Sequence, residues 1–227
     1  MTMDLIRTTL PTRTTLPMST QTRDVLLSVL SERNRELGEH MASVAGLAER
    51  TGRAMGLEDE KLQHLRRAAE LHDVGKIAIP DSILFKPGPL DDSEWECMRR
   101  HTVIGERILL SAPSLEPVAK LVRSSHERVD GTGYPDNLSG EDIPLGARIV
   151  AVCDAFDAMV GDRPYREPMS SEQAVEELKR CAGSQFDCSV VDAFEKVIAT
   201  VPAVALGRRN RLSKNGARDG AVVGRVV

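Results

Sequence analysis

The sequence predicts an all-α domain, and three observations carry that prediction. Apolar residues recur at helical spacing, as in Leu62, Leu65, Ala68, Ala69 and Leu71, whereas the alternation expected of strands is scarce. Asp91 with Glu94, and Ser170 with Gln173, have the spacing of capping boxes that start helices. A chain of 227 residues, 41% of them hydrophobic, is long enough to bury a substantial core.

Taken in order, the chain opens on "MTMDLIRTTLPTRTTLPMST", which repeats "RTTLP" at 7–11 and 13–17 and lacks the long apolar core of a secretory signal. Residues 1–20 are therefore expected to be a disordered leader. Helices are expected over 20–37, 39–55 and 59–74, the third carrying the apolar stripe quoted above. The segment "IPDSILFKPGPL" is dense in Pro and Gly and reads as a loop. A helix over 92–111 starts at the Asp91 capping box, and another follows over 114–127. "RVDGTGYPDNLSGEDIPLG" is a second loop, long enough to suggest a functional role. Helices over 146–161, 171–182 and 188–200 complete the core domain, which is expected to span 21–203, and Gly183 follows a helix end. Residues 204–227 concentrate Arg and Lys among Gly, Asn and Ser and read as a basic flexible tail.

Charge and composition exclude several function classes. A formal net charge of -4 gives no general attraction to nucleic acid or anionic lipid, so an anionic ligand needs a local cluster of cations. No uninterrupted apolar run approaches the roughly 20 residues of a membrane helix. Cys97, Cys153, Cys181 and Cys188 form no C-x-x-C pair; they read as reduced packing residues of a cytoplasmic protein.

The stretch "AAELHDVGKIAIP", residues 68–80, places His72 and Asp73 within an apolar run that reads as helix. An uncompensated buried carboxylate costs several kcal/mol, so the pair needs a partner. Glu36 and His40 are spaced i, i+4 and share one helix face. Lys76 borders the face of His72 and Asp73, and Asp154 lies in another apolar helix, "ARIVAVCDAFDAM". Of the five histidines, His64 follows Gln63 in a polar patch and reads as a surface residue, leaving His40, His72, His101 and His126. Imidazoles and carboxylates without thiolates suit Mn, Fe, Zn, Ni or Co rather than a structural zinc knot. A metal is the expected partner.

The motifs "LHDVGKIAIP", "HTVIG", "HERVDGTGYP" and "DAFDAMVGDRPYR", over about residues 31–200, resemble the HD-GYP family, a branch of the HD-domain phosphohydrolases. The resemblance implies a helical bundle with a metal site in its core and a phosphodiesterase that hydrolyses cyclic di-GMP to pGpG, in some members on to GMP. It implies metal ligation by His40, His72, Asp73 and Asp154, with Asp73 bridging two divalent ions such as Fe or Mn, by His101 and His126 at the second ion, and by Glu36 at an additional one. It also implies that Lys76, Arg163 and Arg166 face the substrate phosphates and that Asp157 orients ligands. The "GTGYP" loop, with Tyr134, is linked in the family to substrate binding and to contacts with cyclic di-GMP synthases; from the residues alone, a structural turn is an equal reading.

One position departs from the family pattern: Ser125 stands where a first histidine of "HHE" is common. Three readings follow. The first is an active phosphodiesterase in which Asp73 and Lys76 serve catalysis. The second is a cyclic di-GMP binding or scaffold protein weakened by Ser125, and the third is an HD-type hydrolase of another nucleotide phosphoester.

Overall fold

A computed structural model describes residues 20–33, 35–161 and 167–200; the expected leader up to residue 19, the whole of the expected tail, Arg163 and Arg166 lie outside these residues. Among the described residues ten α-helices run in order: α1 Thr20–Arg33, α2 Arg35–Ala54, α3 Asp59–Leu71, α4 Asp81–Leu84, α5 Asp92–Arg99, α6 His101–Leu110, α7 Glu116–Arg123, α8 Leu145–Val160, α9 Ser171–Arg180 and α10 Cys188–Thr200. No strand forms among the described residues; two isolated bridges, Asp130 with Ser139 and Ala182 with Phe186, tie loops together.

The core sits where α2, α3, α7 and α8 face one another, with α9 and α10 closing one side and α6 the other. α8 buries Ala147, Ile149, Val150, Val152, Cys153, Ala155, Phe156 and Met159, residues spread around most of its circumference, as expected of a central helix. α10 docks on it through Phe194, whose ring meets that of Phe156 edge to face at 4.9 Å. Both capping boxes expected from sequence are formed, at Asp91–Glu94 and Ser170–Gln173.

Four differences from the expected elements matter for the site. The third helix ends at Leu71, three residues early, so His72 is its C-cap and Asp73 opens a 3-10 turn, Val74–Ala78, rather than sitting inside an α-helix. The expected helix over 92–111 is two helices broken at Arg100, whose N–H turns back to the Cys97 carbonyl. The expected helix over 114–127 is a 3-10 turn, Pro113–Leu115, followed by α7, which stops at Arg123 and leaves His126 in a turn. Within "IPDSILFKPGPL", residues 81–84 form the short α4 instead of loop. In each of the first three cases apolar periodicity continues past the point where the backbone tightens, so pattern alone overruns the boundary.

The cysteines are all free, but Cys188 is exposed rather than packed. No described helix is long and apolar enough to cross a membrane.

Candidate metal centre

The break after α3 is made possible by a glycine. A Cβ on Gly75 would lie 1.9 Å from the His101 carbonyl oxygen and 2.7 Å from the Gly105 nitrogen, so only glycine lets this turn pack onto the start of α6. That contact brings Asp73 to His101. His72 and Asp73 are each 1% exposed, and so is His101.

Two groups of ligand-type atoms share Asp73. His40, His72 and Asp73 place such atoms within 4.8 Å of one another, and Asp73, His101 and His126 do the same. Asp73 Oδ2 lies 3.6 Å from His72 Nε2, while Oδ1 lies 3.6 Å from His101 Nε2, so each carboxylate oxygen faces one group. Asp154 joins the first group, its Oδ1 3.0 Å from His40 Nε2 and 3.7 Å from His72 Nε2.

The imidazoles are oriented from behind. Nδ1 of His72 donates to the Ala69 carbonyl at 2.9 Å, and Nδ1 of His101 to the Met98 carbonyl at 2.8 Å. A carbonyl only accepts, so these nitrogens carry the protons and the Nε2 lone pairs point into the site. Burial, then repulsion from His126, holds the His101 pKa down to about 3, and burial holds His126 down to about 4. Both rings are neutral, the form that ligates metal. Burial alone would lower His40, but its contacts with Asp154 and Asp157 override this and raise it to about 9.

Burial opposes ionisation of Asp73, yet the Lys76 ammonium, 2.8 Å from Oδ2, and the surrounding imidazoles keep its pKa well below the usual range. Burial likewise opposes ionisation of Asp154, and the bond from His40 outweighs it. Even so, His72 Nε2, Asp73 Oδ1, His101 Nε2 and His126 Nε2 are buried without a hydrogen-bond partner. Four such atoms aimed at one another are costly unless a cation joins them. The donor set, imidazole nitrogen and carboxylate oxygen without thiolate, fits a divalent transition metal.

The long loop closes over the second group. The Tyr134 ring stacks on His126, with centroids 5.2 Å apart and planes 9° from parallel, and meets His101 edge to face at 6.3 Å. Glu127 fixes the loop by accepting from the backbone N–H of Asp136 at 2.7 Å and of Leu138 at 3.1 Å. Gly133 is required here as well, because a Cβ would lie 2.3 Å from the Arg128 nitrogen. Together these features bound a cavity of about 550 Å³ that reaches from His126 and Asp154 to Trp95 and Arg99.

A family model described as HD domain matches residues 24–190. The chain belongs to the HD-domain family. A cyclic di-GMP phosphodiesterase of Thermotoga maritima is 41% identical over 198 residues, covering 86% of this chain and 54% of that protein. The 3'3'-cGAMP-specific phosphodiesterase 2 of Vibrio cholerae serotype O1 is 43% identical over 186 residues, 78% of this chain and 36% of that protein. A solved HDG"Y"P protein from Bdellovibrio bacteriovorus superposes with a TM-score of 0.59 over 72% of this chain and 52% of that one; at 19% identity this is a likeness of fold. The HD domain thus spans about half, or less, of the length of these curated relatives.

Of the residues singled out in the sequence, the fold of this HD domain brings together His40, His72, Asp73, Lys76, His101, His126, Tyr134 and Asp154. His64 stays outside both groups. Glu36 shares α2 with His40, but its side chain lies outside the described residues, as do Arg163 and Arg166. Ser125 is buried and donates its hydroxyl proton to the Val122 carbonyl at 2.9 Å. Asp157 accepts from Nδ1 of His40 at 2.6 Å and from the Ser43 hydroxyl.

Sequence reasoning missed Glu127, although it lies within the quoted "HERVDGTGYP", and it missed Arg33. The Arg33 guanidinium, at the end of α1, donates to the Ile77 carbonyl, to the Ile79 carbonyl at 2.6 Å and to Asp81 at 2.6 Å, gripping the chain just after Lys76. Nothing in the spacing of Arg33 announces that role.

Proposed function

We propose that this HD domain hydrolyses a cyclic dinucleotide, cyclic di-GMP before others, to the linear pGpG and onward to GMP where the product is retained. The observation that carries the reading is the single Asp73 carboxylate turned toward two histidine groups in which the Nε2 atoms of His72, His101 and His126 are buried without partners. The names of relatives at about 40% identity support the substrate class.

His40, His72, Asp73 and Asp154 would hold one divalent cation, and Asp73, His101 and His126 a second, with Fe or Mn suited to the donors; Glu36 is assigned to an additional ion on the resemblance alone. Bound cations of this kind neutralise phosphate charge and bring the pKa of a water from 15.7 toward about 7. Lys76 holds Asp73 ionised and extends toward solvent, so its ammonium is positioned to meet a phosphoryl oxygen as charge builds there. Tyr134 limits water around the second group. Arg163 and Arg166 are assigned to the phosphates by motif.

Ser125 favours one competing reading, a cyclic di-GMP binding or scaffold protein, because the second group has three contributors among the described residues. The cGAMP-specific relatives favour another substrate within the same class. The deciding experiment is turnover of cyclic di-GMP, 3'3'-cGAMP and cyclic di-AMP in reducing buffer with Mn(II) or Fe(II), by the wild type, Asp73→Ala and Ser125→His. Wild-type turnover that vanishes in Asp73→Ala supports hydrolysis. A silent wild type rescued by Ser125→His selects the binding reading.

A further inference from the structure

The cavity above the metal centre has a wall that the hydrolytic chemistry leaves unused. Trp95 and Arg99 sit four residues apart on α5 and so project from one face of that helix. Both line the same cavity that His126 and Asp154 also line. Three arginines border it among the described residues. Arg128 is engaged with Asp130 and Thr132, and Arg180 with Glu177. Arg99 makes no ion pair among the described residues; its guanidinium instead lies 5.5 Å from the centre of the Tyr134 ring. That contact holds the group at the cavity while its N–H donors stay free. The Trp95 ring is half-buried and the Tyr134 hydroxyl is buried without a partner, so the wall offers an aromatic face together with unfilled polar groups.

We infer that this wall is a nucleobase subsite selective for guanine. A phosphate at the metal centre projects its nucleoside into the cavity, where the base stacks on Trp95 and presents its edge to Arg99. Stacking on an aromatic side chain accepts any base. Arg99 supplies the choice: guanine offers two adjacent acceptors, O6 and N7, that match a guanidinium, whereas adenine places an amino donor beside its N7. The volume of about 550 Å³ falls within the range of small-molecule sites. The inference rests on the cyclic dinucleotide reading above, and it assigns specificity to a residue outside the motif series.

Trp95 is the chain's one tryptophan, so intrinsic fluorescence reports on this wall without any turnover. The metal-loaded wild type is titrated with GMP and, at matched absorbance, with AMP. The expected result is saturable quenching by GMP with an affinity roughly tenfold above that for AMP, the discrimination a bidentate arginine contact gives. Arg99→Ala, at an exposed position, is expected to abolish the preference and Arg99→Gln to move it toward AMP, since an amide matches the adenine edge. Equal responses to both nucleotides, no response to GMP, or a preference unchanged in both variants would overturn the subsite. Quenching without hydrolysis of cyclic di-GMP sustains the subsite and removes the phosphodiesterase reading; hydrolysis with a silent Trp95 does the reverse.

Discussion

Nδ1 of His40 lies 2.6 Å from Oδ2 of Asp157, one helical turn beyond Asp154 on α8. The bond fixes the ring so that the opposite nitrogen, Nε2, meets Asp154 at 3.0 Å. α8 therefore supplies a carboxylate for the site and a second one that aims α2's histidine into it.

Asp157→Asn is expected to weaken divalent metal binding about 10- to 100-fold, the usual cost of losing the partner behind a ligating imidazole. Helix content should be unchanged. Calorimetric titration of Mn(II) into the stripped protein reads the effect, and an isotherm within twofold of wild type would remove Asp157 from the site.

Glu127 secures the loop that covers the second histidine group, and its two backbone bonds can be removed together. Glu127→Ala leaves the N–H groups of Asp136 and Leu138 unpaired in a partly buried setting, at about 1–3 kcal/mol. Amide exchange over residues 129–138 should accelerate at least about tenfold while α8 stays protected. Unchanged exchange in the loop would show that Gly133 and the Tyr134–His126 stack suffice to hold it.

The histidines and carboxylates were legible in the sequence because charge inside apolar runs is costly and so conspicuous: Asp154 and His72 announce themselves against Val and Ala neighbours. The all-helical fold was legible for the same reason of periodicity. Boundaries were not. His72 and Asp73 read as helical because apolar spacing runs through them, whereas the turn there exists only because Gly75 meets α6, a contact between segments distant along the chain. Arg33 was invisible on similar grounds, since two of its three partners are carbonyls, and every residue has one. Trp95 and Arg99 gained meaning only when the fold set both of them in the lining of one cavity with His126 and Asp154.

The grip of Arg33 on residues 77–81 makes α1 a determinant of where Lys76 and Asp73 stand. Arg33→Ala should lower kcat about tenfold, with KM changed less than threefold, because the turn loses its outer restraint while the substrate cavity is intact. Arg33→Lys should recover little, since an ammonium cannot span two carbonyls and a carboxylate as a planar fork does. A loss confined to KM, with kcat retained, would assign Arg33 to substrate binding instead.

The last relationship concerns how α10 is fastened to the helix that carries Asp154. Arg148 of α8 donates to Asp187, which also accepts from the Ser189 and Val190 N–H groups at the start of α10; Arg148 and Asp187 are 14% and 15% exposed. Burial opposes ionisation of Asp187, but its bonds from Ser189 and Arg148 prevail and hold its carboxyl below the ordinary range. A carboxyl held low in the folded state contributes stability that is complete above its unfolded pKa of about 3.9 and is lost as pH falls through the folded value. Asp187→Asn keeps a good helix cap and deletes the charge. It should cost about 2 kcal/mol at pH 7, the worth of a charge-assisted bond, and lower Tm by about 4–8 °C. Thermal melts at descending pH should show the gap between the two proteins closing below about pH 4, where the wild type begins to lose the same interaction. A gap that stays constant down to pH 3 would mean that packing, and not the ion pair, joins α10 to α8.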